Sequence, residues 1–262
     1  MIGRWALIDI ETSGVDPSED QVIDLGFVIF DERKPLKEFS FKLKTDVNLD
    51  PIIVALTGIT VPQLHKEGKT WDEIAPELEI LQGCVLIAHN ASFEESFLKN
   101  IFEKMQIQPR QTDDGRYFHD SLDVLPFLLP YFPRLGLESI NQIFQLWPKE
   151  KHQGLEDAKD LADALIYAHC QASDQKRNHI CEFQNLSSWW KSWLMTTFDY
   201  SDCKRVHHQE DIPHYPSISQ WIPEQLTAFA TFFTDKHQNW LSLKMIQMIG
   251  RGISGMVSLT HT

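Results

Sequence analysis

The order of apolar and polar positions divides the first 120 residues into strands with helices between the later ones. Apolar runs at residues 5–8 and 22–30 and an alternating segment at 38–43 predict three strands joined by short polar turns. Such connections favour an antiparallel meander. The fully apolar run 84–88 predicts a covered parallel strand, and residues 117–120 predict one more short strand.

Helix signals lie between and after these later strands. Thr70 with Glu73, and Ser92 with Glu95, each have the spacing of a capping box, so helices are predicted to begin there. The first should continue to about residue 81 and the second to Met105, with further helices at residues 137–146 and 155–171. A meander followed by β–α–β–α predicts an α/β fold, a mixed sheet flanked by helices.

The character of the chain changes after about residue 173. Residues 1–172 are therefore interpreted as one domain and residues 173–262 as a mainly helical C-terminal extension. The extension's predicted elements are a helix carrying Trp189, Trp190 and Trp193, a loop at 200–219, and helices at 223–234 and 235–249 that end at residues 250–252. Its Trp-rich helices are expected to pack on the first domain or to form a surface for a protein partner or homodimer.

Composition and charge narrow the function classes. A net charge of −13 argues against broad, non-specific binding to a polyanion, but several carboxylates gathered in one site could bind divalent cations. Four cysteines without a C-x-x-C pair indicate a reducing, cytoplasmic location. Cys203, His207 and His208 lack a second nearby cysteine and are interpreted as loop residues rather than a zinc site. No signal peptide or membrane-spanning run is apparent, so no membrane partner is expected.

Candidate chemistry lies at three separate places in the chain. Asp9 and Glu11 end the first strand, where residues two apart face the same way. Glu94 opens the helix after the strand at 84–88, although a carboxylate there also suits the helix dipole. His152 and Asp157 converge only if His152 lies in the loop before its helix, since five residues along a helix turn by about 140°. Alone, each element has a structural alternative, namely a solvated turn or a surface residue.

Together the three elements occur in the order of a known family. The motifs are Asp-Ile-Glu-Thr at residues 9–12, His-Asn-Ala-Ser-Phe-Glu at 89–94 and His-x4-Asp-Ala at 152–158, supported by segments 56–60 and 120–122. The sequence resembles the DEDDh family of 3′–5′ exonucleases, which includes the proofreading epsilon subunit, ribonuclease T and oligoribonuclease. The resemblance covers about residues 5–171. It implies a ribonuclease H-like fold with a mixed five-stranded sheet.

The resemblance also implies a mechanism with two divalent cations, Mg²⁺ or Mn²⁺, about 3.5–4 Å apart. Asp9 would bridge both ions, and Glu11 and Asp157 would complete the first site. Glu94 would hold the second ion, and His152 would act as general base toward the attacking water. The substrate would be a nucleic-acid 3′ end, with DNA favoured over RNA, and the product a nucleoside 5′-monophosphate.

Five residues are expected to contact the terminal nucleotide by the same resemblance. They are Thr12, Leu56, Thr57, Asn90 and Phe93. For Leu56 and Phe93 the alternative is packing within the domain. Stacking of an apolar side chain on a base would tolerate any sequence, as an exonuclease requires.

The sequence departs from the family at one metal ligand. The second motif ends in Asp in the family, whereas position 94 is Glu, which can still bind a hard cation but shifts the geometry and favours Mn²⁺ over Mg²⁺. The alternative function is therefore a nucleic-acid- or protein-binding module that kept the fold and lost activity. A ribonuclease H-type endonuclease is a further alternative, which the His-x4-Asp element disfavours.

Overall fold

The computed structural model describes residues 2–130, 135–144, 152–199 and 202, with side chains omitted at 141–144. The helices predicted at 223–234 and 235–249, nearly all of the loop predicted at 200–219, residues 250–252 and the group of Cys203, His207 and His208 lie outside these residues. Within the described ranges, none of the helices combines the length and the apolar character needed to span a membrane.

The fold is built on one mixed sheet. Its strands are β1 (Arg4–Thr12), β2 (Val22–Asp31), β3 (Lys34–Lys42), β4 (Val85–Ala88) and β5 (Phe118–Asp120). The spatial order is β3-β2-β1-β4-β5, with the first three strands antiparallel and β4 and β5 parallel to β1. The predicted meander, the parallel strands and the mixed five-stranded sheet are confirmed.

Helices flank the sheet and follow it along the chain. In the described residues they are α1 (Pro51–Thr57), α2 (Val61–Glu67), α3 (Trp71–Leu78), α4 (Ser92–Lys104), α5 (Leu125–Leu128), α6 (Leu137–Phe144), α7 (Gly154–Gln171), α8 (Asp174–Cys181) and α9 (Ser188–Leu194). The capping box of Thr70 and Glu73 is confirmed, although α3 gives way to a 3₁₀ turn at Glu79–Leu81.

The capping box predicted at Ser92 is wrong. Ser92 is already the first helical residue of α4, and its N-cap residue, Ala91, makes no side-chain cap. The Glu95 carboxylate instead accepts hydrogen bonds from the backbone N–H groups of Tyr117 and Phe118, at 3.1 and 3.4 Å. Glu95 therefore fixes the start of β5 to α4.

Alternation along β1 divides the interior into two apolar clusters. Trp5 and Leu7 point toward α7 with neighbouring side chains of β2, whereas Ala6 and Ile8 point to the opposite face, which α3 and α4 cover. Both faces of the central strands are therefore buried. This explains why β1, β2 and β4 have nearly continuous apolar sequences.

The tryptophans of α9 are part of the first cluster. Trp189, Trp190 and Trp193 are all buried, and the Trp189 ring lies 6.1 Å from that of Trp5, which itself stacks on Phe30 at 4.4 Å. The Trp189 indole N–H also donates to the carbonyl of Ile2. Of the two expectations for these side chains, packing against the first domain is the one observed. Because they are buried, they do not form an exposed surface for a partner or homodimer.

A carboxylate from the loop before β5 anchors α9 at its first turn. Asp113 accepts from the backbone N–H of Ser188 at 2.6 Å and from its hydroxyl at 2.7 Å. These hydrogen bonds lower the pKa of the Asp113 carboxyl.

We expect Asp113→Ala to lower the free energy of unfolding by about 1–2 kcal/mol, as for the loss of a helix cap. Urea unfolding would measure this, with Asp46→Ala at an exposed position as control; equal stabilities of the two variants would contradict the anchor.

Candidate active site

Two carboxylates lie near the C-terminal end of β1, on the face of the sheet that α7 covers. Asp9 and Glu11 alternate with the buried Ile8 and Ile10, so they point to the same side of the sheet. In the neighbouring strand, Gly26 lies opposite Asp9, and Asp24 lies opposite Glu11. The predicted pair of carboxylates at the end of the first strand is therefore present.

Glycines allow α7 to begin directly on this part of the sheet. A Cβ atom at Gly26 would lie 1.7 Å from the backbone nitrogen of Leu155 and 2.0 Å from the carbonyl carbon of Gly154. A Cβ at Gly154 would lie 2.7 Å from the carbonyl oxygen of Asp9. Any side chain at these two positions would separate the start of α7 from β1 and β2.

The close approach of α7 brings the third motif to the first. His152 precedes the helix, as predicted, with a positive φ of 49°, and Asp157 lies in the first turn. Asp157 is buried and accepts from the backbone N–H of Gln153 at 2.9 Å. Glu11, His152 and Asp157 each offer one atom that could ligate a metal, and these three atoms all lie within 4.8 Å of one another. Residues almost 150 positions apart thus form one cluster.

Glu94 is a buried carboxyl group near this cluster. Its side chain is 3% exposed, and its Oε2 atom has no hydrogen-bond partner among the described residues. Burial, with smaller contributions from the negative charges of Asp120 and Glu11, raises the pKa of Glu94 to about 8. The charge of Glu11 acts on Glu94, but Glu94 is not among the three residues whose ligand atoms lie within 4.8 Å of one another. Without a cation, this group is protonated at neutral pH.

The loop carrying the second motif is held by Asp120. One carboxylate oxygen accepts from the N–H of Asn90 at 3.1 Å, and the other accepts from that of Ala91 at 3.2 Å. Asn90 has a positive φ of 64°, and the preceding His89 forms a 2.8 Å hydrogen bond with Ser121. These contacts explain how a tight turn leads from β4 into α4 and directs Glu94 toward β1.

The residues predicted to contact substrate have different environments. Leu56 is 49% exposed, so packing within the domain does not account for it, and Asn90 is also exposed. Thr57 is buried, with its hydroxyl hydrogen-bonded to the carbonyl of Ile53. Phe93 is half-buried and packs 5.0 Å from Phe97, and Thr12 is buried beside the strand end. Leu56 and Asn90 are therefore the accessible members of the set.

Sequence reasoning missed two residues that build the site. Gly26 interrupts the apolar run at residues 22–30, and a glycine inside a strand often marks the close approach of another backbone segment. Asp24 was not singled out, yet it is 1% exposed and hydrogen-bonds to the start of α7. A buried carboxylate in an otherwise apolar strand is the signal that points to it.

The side chains in this cluster fit divalent cations. Carboxylate oxygens are the ligands that Mg²⁺ and Mn²⁺ prefer, and an imidazole also suits Mn²⁺. Several acidic groups this close together repel one another unless a cation or a proton compensates them. The buried Oε2 atom of Glu94, which has no hydrogen-bond partner among the described residues, is available to ligate a cation.

Comparison with known proteins identifies the same part of the chain. A family model described as Exonuclease (RNase_T) matches residues 6–165, more than half of the sequence. A DNA polymerase III PolC-type protein of Caldanaerobacter subterraneus subsp. tengcongensis is 28% identical over 165 residues, which are 63% of this chain and 11% of the relative. A 3′–5′ exonuclease DinG of Staphylococcus epidermidis is 27% identical over 168 residues, 64% of this chain and 18% of the relative. The chain thus spans less than a fifth of these relatives.

Solved structures share the fold. Exonuclease I of E. coli in complex with a dT13 oligonucleotide superimposes with a TM-score of 0.53 at 20% identity, covering 63% of this chain and 40% of that chain. Exonuclease I of Methylocaldum szegediense gives a TM-score of 0.52 at 20% identity, with the same coverage. The ribonuclease H-like sheet and the matched exonuclease region agree with the family expected from the motifs. The chain belongs to the exonuclease family described by this RNase_T model.

Proposed function

We propose that this chain is a metal-dependent 3′–5′ exonuclease that hydrolyses DNA from the 3′ end and releases nucleoside 5′-monophosphates. The observation that carries the proposal is the meeting of Glu11, His152 and Asp157 within 4.8 Å, with Asp9 on the same strand face as Glu11. The charge of Glu11 also acts on the buried carboxyl group of Glu94. The family match supports it, as does the similarity to a protein named as a 3′–5′ exonuclease. The similarity to a DNA polymerase supports DNA rather than RNA.

Two divalent cations would be held by the carboxylates of this site. Asp9, Glu11 and Asp157 are the proposed ligands on the β1–α7 side, and Glu94 is the proposed ligand on the α4 side. When bound, such ions supply Lewis-acid activation of the phosphodiester and lower the pKa of the attacking water. The protein contributes a rigid frame, because Asp9 and Glu11 lie on a central strand and Asp157 on a helix packed against it.

His152 is the proposed general base. It lies outside the helix, is half-buried, and shares a cluster with two carboxylates that would stabilise an imidazolium after proton transfer. Its ring can therefore accept the proton that the attacking water loses. The half-buried position keeps the imidazole accessible from solvent, so the proton can leave after each reaction.

The terminal nucleotide would lie between α1 and the turn before α4. Leu56 presents an apolar side chain on the exposed face of α1, and Asn90 presents a polar one from the tight turn. Apolar contact with a base is sequence-tolerant, as digestion of any 3′ end requires. Thr12, Thr57 and Phe93 would support these contacts from partly or fully buried positions.

A digestion ladder tests the proposed function directly. Wild type and Asp9→Ala are incubated with 3′- and 5′-labelled DNA and RNA oligonucleotides, with Mn²⁺, with Mg²⁺ and with EDTA. We expect wild type to shorten DNA from the 3′ end in single-nucleotide steps, and Asp9→Ala and EDTA samples to leave it intact. Internal cleavage would support an endonuclease instead. If the protein binds oligonucleotides but cleaves none of them, the result would support an inactive binding module and overturn the proposal.

The raised pKa of Glu94 predicts pH-dependent metal binding. Below about pH 8 the folded, metal-free protein carries a proton on this carboxyl group, and a cation must displace it. The apparent Mn²⁺ affinity should therefore fall about tenfold per pH unit as the pH is lowered from 8 to 6, with release of one proton on binding. Isothermal titration calorimetry in two buffers measures both quantities. In Glu94→Gln this proton release should disappear; proton release equal to that of wild type would contradict the assignment.

A further inference from the structure

Asp24 is a buried carboxylate that the proposed chemistry does not use. It lies on β2 directly opposite Glu11, on the face of the sheet that α7 covers, and its side chain is 1% exposed. Burial raises the pKa of its carboxyl group, and the ammonium of Lys42, 3.7 Å from Oδ1, acts in the opposite direction. A charged group in such a position needs strong partners to be tolerated, and one of its partners belongs to the loop that carries His152.

That partner is the first peptide group of α7. The buried N–H of Gly154 donates to Oδ2 of Asp24 at 3.0 Å. The preceding N–H, that of Gln153, donates to Oδ2 of Asp157 at 2.9 Å. Two successive N–H groups that follow His152 are therefore each held by a carboxylate, one from the sheet and one from the helix.

The conformation of this loop explains why anchors are needed. His152 has a positive φ of 49°, which is unfavourable for a residue with a side chain unless surrounding contacts enforce it. Gly154 lies in contact with the backbone of Gly26, so the peptide unit next to His152 rests on the sheet within reach of Asp24. The hydrogen bond from the Gly154 N–H to Asp24 then fixes the position at which α7 begins on the sheet.

We infer that Asp24 is a positioning residue that holds the Gly154 N–H, and through it the His152 imidazole, in register with Glu11 and Asp157. The inference rests on the proposed function for its catalytic consequence, because His152 is the proposed general base. Asp24 acts through an accepting oxygen at a fixed place rather than through its charge. Its Oδ2 atom accepts from Gly154, whereas its Oδ1 atom has no hydrogen-bond partner among the described residues and lies 3.7 Å from the ammonium of Lys42.

Variants at this position separate the accepting oxygen from the charge. In Asp24→Ala the Gly154 N–H loses its acceptor, and we expect kcat to fall about 10- to 100-fold while KM changes less than about threefold, because misplacement of a reacting group mainly affects the chemical step. In Asp24→Asn the amide oxygen still accepts, and kcat should stay within about threefold of wild type. Asp24→Glu keeps the charge but moves the oxygens by one methylene, so kcat should fall although the protein remains folded.

Asp113→Ala is the matched control. It also removes a carboxylate that accepts a backbone N–H at the start of a helix, but that helix is α9, which packs near Ile2 and Trp5 at the start of β1, whereas Glu11 lies near the end of that strand. We expect it to lower stability without lowering kcat. The anchoring itself is measured without substrate or metal by hydrogen exchange at Gly154, which should be faster in Asp24→Ala than in wild type and unchanged in Asp24→Asn.

The outcomes decide between positioning and mere stabilisation. Unchanged kcat in Asp24→Ala, equal losses in Asp24→Asn and Asp24→Ala, or an equal loss in Asp113→Ala would each overturn the inference. If Asp24→Ala does not fold, full activity of Asp24→Glu would overturn it instead. If wild type is inert on every substrate, the proposed function has failed. Hydrogen exchange then still tests the hydrogen bond from Gly154 to Asp24. Equal exchange rates of the Gly154 amide in wild type and in Asp24→Ala would overturn the positioning role of Asp24.

Discussion

Replacing Asp157 with Asn is expected to lower the kcat of exonuclease digestion by at least about 10²-fold, the scale seen when one group that stabilises transition-state charge is removed. Asparagine has nearly the same shape, and its amide oxygen can still accept from the N–H of Gln153. The fold at the start of α7 should therefore be preserved, whereas the negative charge next to Glu11 and His152 is lost. Single-turnover digestion of a labelled oligonucleotide at saturating Mn²⁺ would measure the effect on the chemical step.

The neighbouring carboxylate supplies the control for this variant. Glu156 lies one residue earlier on α7, but it pairs with Lys159 at 3.4 Å and is not part of the cluster. Glu156→Gln should retain kcat within about twofold, since surface ion pairs contribute little. Activity of Asp157→Asn equal to that of Glu156→Gln, with both proteins folded, would show that Asp157 is not part of the catalytic site.

Introducing a single methyl group at Gly26 is expected to be among the most damaging changes in the chain. The new Cβ would lie 1.7 Å from the backbone nitrogen of Leu155, and backbone atoms of α7 cannot move aside without displacing the helix. We expect Gly26→Ala to lower the free energy of unfolding by about 3 kcal/mol or more, the upper range for overpacking. Displacement of Asp157 and His152 by even about 1 Å should also cost about 10²-fold in kcat.

Gly136→Ala is the comparison for this experiment. A Cβ at Gly136 would meet no atom of the described residues within 4 Å, so the same chemical change should alter stability by less than about 0.5 kcal/mol. Urea unfolding and digestion rates of the two variants are measured in parallel. A Gly26→Ala protein as stable and active as Gly136→Ala would show that α7 does not rest on β2 as described.

Much of the fold could be predicted because apolar periodicity is a local property. The runs that become β1, β2 and β4 are largely buried on both faces, and their sequences are accordingly apolar at most positions. The helices α1 and α2 were not predicted, because seven residues are too few for a clear 3.6-residue pattern. Residues that favour a helix start are nevertheless present in the sequence, namely Asp50 and Pro51 before and at the start of α1 and Thr60 before α2.

The site was predictable to the extent that its chemistry lies in short motifs. The placement of His152 before the helix and Asp157 in its first turn followed from the geometry of a single helix. The partners of Glu95 and Asp24 could not be predicted in this way, since each carboxylate binds N–H groups contributed by a segment remote in sequence. Long-range hydrogen bonds of this kind have no periodic signature in the chain.

The aromatic cluster around α9 gives the protein an internal optical probe. Trp5 lies at the start of β1, and the Trp189, Trp190 and Trp193 rings are 5.0 to 5.3 Å apart in sequence order. Closely packed indoles in a fixed arrangement give a near-ultraviolet circular dichroism band that is lost when tertiary packing loosens. Because β1 begins at this cluster and ends at the carboxylates, this band reports on the packing of α9 at the end of the strand opposite to the proposed cation ligands.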